Sequence, residues 1–265
     1  MQEITALQQT NPLAAVILSK ITAANTLLGL DLKSGEVMSA NITTKDGVTG
    51  KIIAEFQNNQ LRSYIQNPDF EAAKITAAGQ NLYQLALGQQ GTLTVTRQLR
   101  GYEPYVSQVN LLDGGIDSDF MEFATVSNQI KTLIATKAEL DENLKLKKVV
   151  GFLIGLFPEH TEADINYLDK KIVNSQAICD RILQTAPENY LEIIEDLAAD
   201  AIVVENAGLE FACTCNYDKT LQAVKMLGKV EIQKMIAEQK PLEVTCDFCK
   251  KKYTISVEDL QKLLD

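Results

Sequence analysis

Phe211-Ala212-Cys213-Thr214-Cys215 and Cys246-Asp247-Phe248-Cys249 hold four of the chain's five cysteines in two close pairs, with 30 residues between Cys215 and Cys246. Zinc favours four tetrahedral thiolates at structural sites, and two close pairs on separate loops supply them with little chain strain. The Cys-x-x-Cys pair is the usual knuckle. The Cys-x-Cys pair takes both sulfurs from one turn and leaves little slack. The pattern predicts one zinc ion per chain, held by Cys213, Cys215, Cys246 and Cys249. The competing reading is a thioredoxin-like dithiol at Cys246 and Cys249. It lacks the βαβ surroundings and leaves the first pair unexplained.

Residues 211–265 are too few to bury a self-sufficient core. For such domains metal binding becomes folding free energy, on the order of 10 kcal/mol in zinc-finger peptides. Thiolates are also what oxidants attack. Oxidised sulfurs cannot hold zinc, and Cys213–Cys215 and Cys246–Cys249 disulfides are the local products. The first closes a very small ring, so strain makes it readily reducible. The spacing therefore predicts a reversible redox switch.

Upstream, the net charge of −10 is unevenly spread. Residues 1–156 carry 13 Lys+Arg against 15 Asp+Glu, residues 157–210 carry 3 against 12, and residues 211–265 carry 9 against 8. Nearly all the excess acid lies in the middle section, and like charges hold structure weakly. Three sections follow: an N-terminal mixed α/β core at 1–156, an acidic helical linker at 157–210, and a C-terminal zinc domain at 211–265. The fold class is α+β.

The core opens with a helix capped by Thr10 or Asn11, with Pro12 in its first turn, running to about Leu30. Strands are expected at Val37–Ile42, Lys51–Phe56, Leu61–Ile65, Thr92–Leu99 and Tyr105–Leu111, with Asn58-Asn59 as a turn. A helix follows at Asp119–Ile130, buried through Phe120, Phe123, Ala124 and Ser127. A hairpin then joins Lys131–Leu140 to Leu144–Phe157. The end of that strand, from Val149 to Phe157, is apolar on both faces and needs cover on both. In the linker, Thr161 with Asp164 and Thr185 with Glu188 read as capping boxes. Ile165, Leu168, Ile172, Cys179 and Ile182 form one apolar stripe, interrupted by Ser175, and Tyr190, Ile194 and Leu197 the next. Helices are expected at Asp218–Leu227 and Val230–Glu238, with a strand at Tyr253–Ser256 and a last helix capped by Ser256 with Asp259.

Several functions are disfavoured. An acidic chain without a basic stripe argues against nucleic acid as partner. The longest early apolar run, Leu13–Leu18, is too short to cross a bilayer and lacks the flanks of a secretion signal. A cytoplasmic protein without a membrane partner is expected, in a compartment that keeps thiols free for metal. No GxxxxGK[ST] or GxGxxG run is present, and His160, the only histidine, reads as a solvated loop residue. Catalysis has no support, so the chain is not read as an enzyme. Cys179 reads as a buried inert thiol, and Asp113-Gly114-Gly115 as a turn.

These residues resemble the 33-kilodalton heat-shock protein family of bacterial redox-regulated chaperones. The likeness rests on the two cysteine pairs, their 30-residue gap and Tyr253. It extends to Gly151-Phe152-Leu153-Ile154 with Phe157-Pro158, Gly91–Thr96, Glu103-Pro104-Tyr105, Tyr64–Pro68 and the Ala-rich first helix. It implies an ATP-independent holdase, inactive while reduced and zinc-bound. Oxidation with unfolding stress would release zinc and unfold the switch domain and linker. The exposed apolar surface would then capture unfolding client proteins, as a homodimer. The chain begins close to the first long helix, so the opening strand the resemblance leads one to expect is absent or cut away, and Val37–Phe56 carries fewer glycines than the family usually has. The alternative is a zinc-ribbon interaction or RNA-binding module with purely structural zinc, which Lys250-Lys251-Lys252 would serve.

Overall fold

In the computed structural model, which describes residues 1–71, 82–198 and 201–264, a short helix α1 (Gln2–Gln8) precedes the organising element α2 (Pro12–Gly29). Asn11 caps α2 by accepting from the Ala14 N–H, and Pro12 sits where its missing N–H costs nothing. The helix is apolar around much of its circumference, so it is buried rather than amphipathic. Pro12–Gly29 is long and apolar enough to cross a membrane, which the reading of Leu13–Leu18 alone missed, but 67% of it is buried in the fold.

Around α2 lie strands β1 (Glu36–Thr44), β2 (Ile52–Gln57) and β3 (Gln60–Ile65), helix α3 (Leu82–Leu87), and strands β4 (Gly91–Leu99) and β5 (Tyr105–Asn110). Next come α4 (Ile116–Asn128), β6 (Thr132–Leu140), β7 (Leu146–Gly155), α5 (Glu162–Val173), α6 (Ser175–Gln184), α7 (Tyr190–Leu197) and the two-residue strand β8 (Glu210–Phe211). The larger sheet has the order β5-β4-β1-β2-β3-β8, antiparallel except for the β3–β8 pair. Asn58 and Asn59 both adopt positive φ, as a tight β2–β3 turn requires. Burial alternates along the strands, so Met38, Ala40, Ile42, Ile52, Ala54 and Phe56 face α2 and the core.

The hairpin β6–β7 forms a sheet of its own. Ile134 and Leu153, paired across it, join the α2 core. Gly151 permits this approach, because a Cβ there would lie 3.0 Å from both the Leu27 side chain and the Ala135 carbonyl oxygen. The opposite face carries Ala135, Val150 and Phe152, which pack against Cys179, Ile182 and Leu183 of α6. Both faces of this apolar strand are thus covered, although Phe157 beyond its end is 81% exposed.

Three expectations need correction. Helix α4 starts at Ile116, not Asp119. The capping box at Thr185 and Glu188 does not form: the Thr185 hydroxyl donates back to the Arg181 carbonyl, and Pro187–Asn189 is a short 3-10 turn. Helix α7 buries Ile193, while Ile194 is exposed. The Thr161–Asp164 box is formed in both directions. The linker stripe is broken at Asn174, where α5 ends and α6 begins, leaving Ile172 exposed and Leu168 and Cys179 buried.

Chain contacts divide the structure into two compact units, Met1–Phe211 and Ala212–Asp265. The second holds α8 (Tyr217–Lys225), α9 (Lys229–Ala237), the antiparallel hairpin β9 (Leu242–Thr245) and β10 (Lys252–Ile255), and α10 (Val257–Lys262). Strand β9 was not anticipated, being four residues squeezed between Pro241 and Cys246.

Asp119, in the first turn of α4, is fully buried. Its Oδ1 accepts from the Leu112 N–H at 2.8 Å, while Oδ2 has no partner among the described residues. Burial pushes its pKa up to about 7, aided by the Asp113 carboxylate and opposed by the Leu112 and Asp113 N–H groups. An unfolded chain returns it to about 3.9. Stability from this group is therefore complete below about pH 4 and is lost as pH rises towards 7. An Asp119→Asn variant should melt close to the parent at about pH 4 and a few degrees above it at about pH 8. Calorimetry across that range checks this; a melting difference independent of pH would contradict it.

Candidate metal centre

The second unit has little apolar interior. Val224, Ile232, Ile255 and Leu260 form its buried cluster, with Tyr217, Leu221, Met235 and Leu242 packed around it. Two loops meet beside this cluster. Cys213 and Cys215 precede Asn216, whose side chain caps α8 by accepting from the Lys219 N–H at 2.8 Å. Cys246 and Cys249 sit at the tip of the β9–β10 hairpin. There the Cys246 N–H donates to the Lys251 carbonyl, and the Lys250 N–H to the Cys246 carbonyl, each at 2.9 Å. Lys250 takes a left-handed φ of 59°, which turns the tip tightly enough to aim both sulfurs inward.

The four sulfurs lie within 4.8 Å of one another. Cys213 Sγ is 3.7 Å from Cys246 Sγ, and Cys215 Sγ is 3.4 Å from Cys249 Sγ. A tetrahedral ion at a zinc–sulfur distance of about 2.3 Å sets its ligands about 3.8 Å apart. The residues present fit such an ion without rearrangement. All four are half-buried, and the fifth cysteine, Cys179, lies in the other unit, fully buried. Burial pushes its thiol up to about 12, as expected of an inert core cysteine.

Burial also raises the Cys246 and Cys249 thiols, the latter to about 12, with neighbouring sulfurs adding to the rise at Cys249. The backbone N–H groups of Cys249 and Phe248 at Cys246, and of Lys251 at Cys249, act in the opposite sense. Four thiols packed this closely resist ionising together unless a cation is among them. The Tyr253 hydroxyl donates to Cys215 Sγ at 3.1 Å, a contact that spacing alone did not assign. Tyr217 Oη donates to Asp259 at 2.7 Å, tying the first turn of α8 to that of α10. The cap of α10 is as expected, with the Asp259 N–H donating to Ser256 Oγ. His160 is exposed, its ring nitrogen 2.7 Å from the Phe157 carbonyl.

A mixed α/β unit followed by a small four-cysteine module defines the class: a protein whose C-terminal part carries four cysteines placed where they could hold a metal ion. The family model for the Hsp33 protein matches residues 1–256, and the chain belongs to that family. A 33 kDa chaperonin of Thermodesulfovibrio yellowstonii is 30% identical, over 97% of this chain and 88% of the relative. One from Streptococcus suis is 31% identical, over 95% and 87%. The crystal structure of the 33 kDa chaperonin of Thermotoga maritima superposes with a TM-score of 0.82 at 26% identity, covering 99% of this chain and 89% of that one. The chain is accordingly a chaperone associated with stress response.

Replacing one ligand leaves three, too few for a closed site. Cys246→Ser should reduce bound metal from about one ion per chain to a small fraction, measured by chelator absorbance after thiol displacement. Tyr253→Phe should keep the ion but lose roughly tenfold in affinity, because it removes a donor that orients a ligand. Unchanged chelator competition in Tyr253→Phe would remove that role from the tyrosine.

Proposed function

We propose that this chaperone is a redox-regulated, ATP-independent holdase, inactive while Cys213, Cys215, Cys246 and Cys249 bind one zinc ion. The observation that carries the reading is the convergence of four sulfurs in a unit whose own buried cluster is four side chains. A core that small does not stabilise 54 residues unaided. A bound zinc ion would keep the sulfurs deprotonated and tie the Cys213–Cys215 loop to the β9–β10 hairpin. The chain's own thiols do the rest. Each pair forms one S–S bond and passes two electrons to peroxide, which takes up two protons and leaves as two waters.

Cys213 with Cys215 and Cys246 with Cys249 are the proposed disulfides. The Cys213–Cys246 and Cys215–Cys249 sulfur contacts run across the pairs, but once the loops separate only the sequence-local partners stay within reach. Opening of the C-terminal unit then acts on the linker through the chain itself, since Cys213 lies just beyond β8, which is held to β3 by two residue pairs. The proposed sequel is that residues 157–210 leave the β6–β7 hairpin, and the uncovered apolar face takes up unfolding client proteins. The resemblance supports a homodimer as the oxidised form and the cytoplasm as its location.

Peroxide with mild heating should release about one zinc per chain and suppress light scattering by an unfolding client, both measured on one sample before and after oxidation. Release of zinc without protection of the client would sink the proposal. Salt-sensitive RNA binding by the reduced protein would favour the zinc-ribbon alternative instead.

A further inference from the structure

The cover over the β6–β7 hairpin is held by charge as well as by apolar contact. Residues 131–156 carry five lysines against three acidic groups, opposite a linker with 3 basic and 12 acidic residues. Three of those lysines reach the linker. Lys131 Nζ lies 3.3 Å from Asp169 of α5, and Lys137 Nζ lies 2.5 Å from Asp180 of α6. Lys148 Nζ donates to the Ile182 and Leu183 carbonyls at 3.3 and 3.1 Å and sits over the Tyr190 ring. Those carbonyls lie in the last turn of α6, where carbonyl acceptors have no N–H donor within the helix and the dipole end is negative. Between the lysines lie Ala135, Val150 and Phe152, against Cys179 and Ile182.

We propose that this face is a clamp for acidic amphipathic helices, and that α6 is its resident occupant. The inference rests on the chaperone reading and deepens it by naming the client chemistry. An incoming segment that suits the face has an apolar stripe for Val150 and Phe152 and carboxylates for Lys131 and Lys137. It also ends as a helix at Lys148, where unpaired carbonyls are available. Exposed ion pairs of this kind are individually weak and screened by salt. They select among apolar segments more than they bind them.

The test uses the oxidised, full-length protein and two labelled amphipathic helical peptides with the same apolar residues, one flanked by Glu and the other by Lys. At low salt the acidic peptide should bind about tenfold tighter by anisotropy, and the gap should close near 1 M salt, where screening is short-ranged. Lys131→Gln, Lys137→Gln and Lys148→Gln together should abolish the preference. In the reduced protein the same triple variant should expose buried Cys179 to alkylation severalfold faster than the parent, read by mass spectrometry.

Equal affinity for both peptides, in a preparation that protects a client, overturns the clamp and leaves the chaperone reading intact. An unchanged alkylation rate at Cys179 also overturns it. If no client is protected and neither peptide binds, the chaperone reading fails, and faster alkylation alone would then support the lysines' hold on α6.

Discussion

A two-stranded hairpin with apolar side chains on both faces is not stable in water, and β6–β7 is such a hairpin. Its two covers differ in kind. On one side α2 packs through Leu27 against Gly151, with Ile134 and Leu153 continuous with the main core. That cover cannot leave without unfolding the sheet. On the other side α6 meets a small cluster of Ala135, Val150 and Cys179, assisted by half-exposed ion pairs. Exposed pairs contribute about 0–1 kcal/mol each, so this cover is held far less firmly. The asymmetry is what the proposed release of the linker would require, and it arises from which face of one strand the longest buried helix takes.

The C-terminal unit has the complementary weakness. Its four thiols converge on one point, and burial raises the Cys246 and Cys249 thiols among them. A cation would make that convergence favourable. Tyr253, on β10, ties the secondary structure to the site through its bond to Cys215.

Local signals read well where a single residue type does a single job. Asn11 before Pro12, Thr161 with Asp164, and Ser256 with Asp259 all cap the helices they announce. Asn58-Asn59 turns the chain as its tolerance for positive φ suggests. The failures share a cause, which is competition between two legitimate local partners. Thr185 could cap the next turn or bond back to Arg181, and the chain takes the second. Ile193 and Ile194 are equally apolar, and only the docking angle of α7 decides that Ile193 is buried. Asp119 looked like a helix start and is instead a buried carboxylate gripping Leu112, with α4 beginning a turn earlier.

By itself the sequence singled out the four cysteines that converge, the acidic linker and the strand that needs two covers, because each depends on residue type and spacing alone. Only the tertiary structure decided which lysines meet the linker, that Lys148 holds the end of α6, and that Tyr253 supports Cys215. Those contacts join residues 34 to 43 positions apart. Their geometry follows from sheet register and helix docking, which no local pattern encodes.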